Sequence, residues 1–344
     1  MKKYISYVAV ALVALFTSCS NDDITIETAY TFNVNASTVI SSFVQATPGE
    51  LETFSSTNEK LRIRILVYND NGELVAQDQG YFTNYNTQLK TVKTLSSGTY
   101  TVIGISDVVV LNGNSVKTEY WHLSGESKLS EMKIEDGGML GYEARILGIA
   151  KNTLNIKANE SRSLSVDLKP AGALIYGIIW NAGVFSDIEK YWLFANKSSE
   201  ALSFDASGNY VITEKNDGST RYKIVGINAV DGNHYYYNYI LPMSNLNLYF
   251  ECIDTDGKYH GFEGFTGTTI SLNAGDEYAC HLDLYNWGEY YKKVTSKSAF
   301  DYPGSTSAPA KLSRKKWTNV DKTAKMPKEI FSKLNHVLKA SDIK

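Results

Sequence analysis

The chain has 344 residues, 43% of them apolar and 21% charged, with a formal net charge of −3. That balance belongs to a globular protein and excludes a disordered one. The charge is uneven: Glu289 to Lys344 holds 13 Lys and Arg against 5 Asp and Glu, and a basic tail on an acidic body is not a nucleic-acid-binding pattern.

Lys2 and Lys3 open the chain and an apolar run, Tyr4 to Phe16, follows. It is shorter than the roughly 18 residues that a membrane-spanning helix requires. Thr17 and Ser18 lead to Cys19, the layout of a secretory signal peptide. A cysteine at the cleavage point predicts lipidation of Cys19 and a chain anchored to a membrane rather than spanning it. Residues 1–18 are therefore read as signal peptide and 19–27 as tether. The 326 residues left after Ser18 favour two domains of ordinary size.

The first domain is expected over 28–168. Tyr30, Phe32 and Val34 alternate with polar residues, and Leu61 to Tyr68 alternates apolar with basic. Asn69-Asp70-Asn71-Gly72 before Glu73 to Ala76 is a hairpin signature. Ser97-Gly98 introduces a strand over Thr99 to Ile105, and further strands are expected at Leu154 to Ile156 and Ser163 to Leu168. Glu126 to Ile134 has the makings of a short helical turn.

The second domain is expected over 169–290. Ala173 to Trp180 and Lys190 to Phe194 are apolar strands, and Asp205 to Gly208, Asp231-Gly232 and Asp254 to Gly257 mark turns. Strands are read at Tyr210 to Thr213, Tyr222 to Ile227, Tyr235 to Leu241, Asn247 to Ile253, Thr268 to Leu272 and Tyr278 to Tyr285. Short strands at this spacing predict an all-β fold of two tandem antiparallel β-sandwiches. Residues 291–344 are read as a basic linker and a C-terminal amphipathic helix. Over Lys328 to Ala340, Ile330, Phe331, Leu334, Val337 and Leu338 fall at helical spacing after Pro327.

Little in the chain carries chemistry. The five histidines form no short-range metal pattern, no Gly-x-Ser-x-Gly elbow occurs, and Asp254-Thr-Asp-Gly257 reads as a hairpin turn before it reads as a calcium loop. A non-enzymatic protein with no metal and no cofactor is expected. Cys252 and Cys280, in neighbouring strands of an exported chain, form either a disulfide or two buried thiols. Trp121, Trp192, Tyr236 and Trp287 carry an alternative function, stacking on the sugars of a glycan as in a polysaccharide-uptake lipoprotein. Alternation along a strand places about half of such rings in the core.

The segment ending at Cys19 resembles the lipobox of bacterial lipoproteins, although Phe16 stands where Leu is usual. Asp22-Asp23 resembles the surface-export tag of lipoproteins in the Bacteroides group. Together with Leu61 to Tyr68, Asn69 to Val75, Leu95 to Ile103 and Val166 to Ile175, these residues resemble the fimbrillin-like proteins of Bacteroidales, over roughly residues 1 to 290. The resemblance implies two transthyretin-like β-sandwiches in a pilus subunit, tip or anchor. It also implies an outer-membrane location, with other fimbrial subunits or host or bacterial surface proteins as partners. Stalk subunits of that family are released by cleavage after Arg or Lys, which discards the first strand and opens a groove for a neighbour's strand. Here no Lys or Arg stands between Cys19 and Lys60. Cleavage at Lys60, Arg62 or Arg64 would cut a strand essential to the fold. The first strand is therefore expected to be retained, as suits an anchor or accessory subunit better than a polymerising stalk.

Overall fold

The computed structural model describes residues 27–43, 54, 57–136, 146–157, 162–180, 182–183, 188–205, 207–215, 222–229, 234–257, 259–261, 268–284, 288–293 and 336–338. The expected signal peptide, Cys19, Trp287 and most of the basic tail lie outside them.

The first half runs through β1 (Glu27–Asn35), the short helix α1 (Ser37–Ser41), β2 (Glu59–Tyr68), β3 (Leu74–Phe82), β4 (Gln88–Ser96), β5 (Gly98–Asn112), β6 (Ser115–Glu119), β7 (Trp121–Ser124), β8 (Lys133–Asp136), β9 (Gly148–Ile156), β10 (Arg162–Asp167) and β11 (Lys169–Pro170). The second half runs through β12 (Ala173–Trp180), β13 (Ile188–Ala195), β14 (Ser198–Phe204), β15 (Tyr210–Lys215), β16 (Tyr222–Asn228), β17 (His234–Ile240), β18 (Met243–Asp254), β19 (Tyr259–Gly261), β20 (Thr268–Leu272), β21 (Glu277–Asp283), β22 (Gly288–Lys293) and β23 (His336–Leu338). The described residues are thus nearly all β. The helix expected over Lys328 to Ala340 falls mainly outside them, and its described part, His336–Leu338, is a strand paired with β19 instead.

Local sequence explains the strands that place the first core. β2 alternates Leu61, Ile63, Ile65 and Val67 with Arg62 and Arg64, so apolar side chains share one face. The turn before β3 closes because Asn69 Oδ1 accepts the backbone N–H groups of Asn71 and Glu73 (3.0 and 2.9 Å), with Gly72 at φ 72°. The helical turn expected near Glu126 to Ile134 is a single turn at Leu129–Glu131.

The pairing scheme of the first half recurs in the second. β1 lies between β4, antiparallel, and β10, parallel; β12 lies between β17, antiparallel, and β21, parallel. β2 pairs with β3 and β5, and β5 with β9. In the same way β13 pairs with β16 and β18, and β18 with β20. Two pairs of strands interrupt this repeat. β7 and β8 lie between β5 and β9, the hairpin β14–β15 lies between β13 and β16, and the two insertions pair to make one sheet, β15-β14-β8-β7. That sheet crosses the boundary expected at residue 168.

There are two main apolar cores. One gathers the first half, including Phe32, Val34, Ile63, Ile65 and Ile103, and extends to Leu174, Tyr176, Leu202, Phe204, Tyr239 and Ala279 of the second. The other is built from the second half alone, around Tyr191, Leu193, Phe250 and Leu282.

Candidate functional site

The sequence singled out the first strand, and the structure places it in the middle of a sheet. Tyr30, Phe32 and Val34 point into the core and are 4%, 0% and 0% exposed. Both edges of β1 are hydrogen-bonded over most of its length, to β4 from Glu27 to Asn35 and to β10 from Tyr30 to Asn35. Across the core, β5 has glycine at 104; a Cβ there would meet Leu168, Val166 and Val34 side chains at 2.8, 2.8 and 3.3 Å. Without β1, sheet β10-β1-β4 would lose its middle strand and leave a long apolar slot between β4 and β10.

The three basic residues that follow lie on β2, which is hydrogen-bonded to β3 on one side and β5 on the other. Arg62 is buried and makes a two-pronged pair with Asp107, Nε to Oδ1 at 2.9 Å and Nη2 to Oδ2 at 2.7 Å. Its Nη1 reaches Glu119 at 2.5 Å, and Arg64 pairs with Glu126. Burial alone would weaken the charge on Arg62, but the two carboxylates outweigh it and hold the guanidinium firmly protonated. A protease would have to unfold this sheet to reach either bond.

Tyr239 joins the two halves. Its ring meets Phe43 at 6.5 Å and 90° and Trp121 at 6.0 Å and 88°, both edge to face. Its hydroxyl donates to Leu147 O at 2.8 Å and accepts from the Gly172 N–H. Burial pushes its pKa up.

Of the proposed glycan-stacking residues, the three that are described do not converge. Trp121 and Tyr236 are 5% and 1% exposed. Trp192 is half-buried against Gly226, with Lys223 Nζ 4.5 Å and Lys190 Nζ 5.3 Å from its ring centre. Trp287 lies outside the described residues. Cys252 on β18 and Cys280 on β21 are both fully buried in the second core, on strands of two different sheets rather than on neighbouring strands. Beside Cys280, the His281 ring replaces a ladder bond: its Nδ1 accepts the Ile178 N–H at 3.1 Å, and burial lowers its pKa to about 4. Among the described residues no group of three or more His, Cys, Asp or Glu is placed to hold a metal ion, and no helix is long and apolar enough to cross a membrane.

One feature that the sequence did not reveal is a cleft of about 1000 Å³ where the halves meet. Ile149, Pro170, Ala171 and Leu202 give it an apolar floor. Asn152 comes from β9, Asp167 from β10, Lys169 from β11, and Asn209 and Tyr210 from the turn and strand after β14. That turn is tightly made. Asp205 Oδ1 accepts from the backbone of Ser207 and Asn209 (2.9 and 2.8 Å), Gly208 sits at φ 72°, and Lys151 of β9 donates to Ser207 O. Tyr210 rests edge-on against buried Phe204 at 5.4 Å and 74°. The residue is nevertheless 45% exposed. Tyr210 was read from sequence only as the start of a strand, because residues 152, 167 and 210 are brought together by pairing across the chain.

No family model and no curated protein matches the sequence. Among solved structures, the chain is similar to a candidate adhesin from Bacteroides ovatus, at 12% identity and a TM-score of 0.44, covering 81% of this chain and 96% of that one. It is similar to the fimbrial anchor protein Mfa2 from Porphyromonas gingivalis, at 14% identity and a TM-score of 0.38, covering 77% and 95%. It is also similar to the tip fimbrial protein Mfa3 from the same organism, at 10% identity and a TM-score of 0.38, covering 78% and 98%.

Proposed function

We propose that this protein is a non-enzymatic surface lipoprotein, an anchor or accessory subunit of a fimbria-like assembly that keeps its own first strand. The observation that carries this reading is the place of β1, bonded along both edges and buried through Tyr30, Phe32 and Val34. A subunit whose slot is already filled by its own chain offers a neighbour no open groove for strand addition. It can hold or decorate an assembly without extending it. The repeated pairing scheme and the two cores support two β-sandwiches in tandem, 28–168 and 169–290, joined at their inserted hairpins. In this reading Cys19 carries the lipid that holds the body to the outer membrane. Other assembly subunits, or surface proteins of a host or another bacterium, are the partners.

Fractionating cells that express the protein and its Cys19→Ala variant tests the reading. The wild type is expected in the membrane pellet and accessible to protease added to intact cells, and the variant in the soluble fraction. In gel filtration the purified protein is expected to stay at one size as its concentration rises. Equal membrane retention of both forms, or a growing ladder of polymers, would refute it.

A further inference from the structure

We infer that the cleft between the halves is a saccharide site, taking a neutral hexose unit of a glycan. Among the described residues the large apolar side chains left exposed are Val75, Val92, Tyr210 and Val211, so Tyr210 is the one aromatic ring of this group. Of the other described candidate rings, Trp121 and Tyr236 are buried in cores and Trp192 lies under Lys190 and Lys223. An exposed ring set on a pre-formed cleft at the junction of two bodies is where small ligands bind.

The ring is held before any ligand arrives. Phe204 supports it from behind, and the Asp205 turn and the Lys151 contact fix the strand that carries it. Little ordering is then required on binding. The polar groups on the walls are of every kind. Asp167 accepts, Lys169 donates, and the amides of Asn152 and Asn209 can do both. Such a mixture matches hydroxyl groups, which donate and accept alike. An anion would sit beside Asp167 and a cation beside Lys151 and Lys169, so neither suits the walls as well. The apolar floor and the tyrosine face suit the C–H face of a pyranose.

The site is independent of the β1 reading, and failure of either leaves the other standing. The test is saturation-transfer NMR on the full chain in detergent, with the methyl glycosides of glucose, galactose and mannose at millimolar concentration. At least one should receive saturation, strongest on the protons of one ring face. Tyr210→Ala should weaken the effect at least tenfold and Tyr210→Phe should hold it within about twofold, with both variants keeping a cooperative melt and Tyr210→Ala melting at most a few degrees lower through loss of its contact with Phe204. Absence of transfer to all three glycosides, or transfer that survives Tyr210→Ala, would overturn the assignment. With methyl galacturonate run beside them as a charged control, transfer confined to it and lost with Lys169→Gln would overturn it too, by making the cleft an anion site.

Discussion

Single side chains in this protein act as rivets, and three can be tested directly. Removing Asp107 leaves the Arg62 guanidinium buried with Glu119 alone. Asp107→Ala should therefore lower unfolding free energy by about 3 kcal/mol in a denaturant titration, whereas the double replacement Arg62→Met with Asp107→Leu should recover most of it. Tyr239→Phe keeps the ring contacts but leaves the Gly172 N–H buried without its partner, while Leu147 O keeps the Ala171 N–H. A loss of about 1–3 kcal/mol is expected in the same assay. His281 sets an acid limit. Its folded pKa, about 4, lies below the ordinary value near 6.5, so between these values the unfolded chain binds the proton that the folded one refuses. Stability should then be full above pH 6.5 and fall by about 3 kcal/mol as the pH drops to 4. His281→Asn, which keeps an acceptor for Ile178, should flatten that slope.

At the scale of elements, the middle strand of the first sheet matters most. Burying Tyr30, Phe32 and Val34 is worth about 1.5–3 kcal/mol each, before the loss of two rows of backbone bonds is counted. A chain lacking residues 20–36 should fail to give a cooperative melt by circular dichroism, and a synthetic peptide spanning Thr28 to Ala36 should restore it. A normal melt without the peptide would show that β1 is dispensable. β1, β2 and β5 were legible because alternation or a continuous apolar run marks them in the sequence. β4 was not: its outward side chains include Val92, 57% exposed, and its inward ones include Thr91, so polar and apolar residues do not separate by face. β14 was also missed, because Ser198-Ser199-Glu200 gives no strand signal and one of its two partners, β8, lies about 65 residues earlier. The cleft was invisible for the same reason, since contacts set by distant pairings leave no local pattern.

For the molecule as a whole, the pairing scheme of the first half recurs in the second, and the shared sheet β15-β14-β8-β7 with Tyr239 fastens the halves together. In the proposed reading the first half is completed by its own β1, which makes the protein self-sufficient as a subunit. Whether β1 stays in the mature protein therefore decides between an anchored, self-completed subunit and a polymerising one. The direct measurement is the intact mass and N-terminal sequence of the protein extracted from the cell envelope. A chain that begins at lipidated Cys19 and still carries Glu27–Asn35 is the expected result. A mature N-terminus anywhere between residues 36 and 65 would contradict the account.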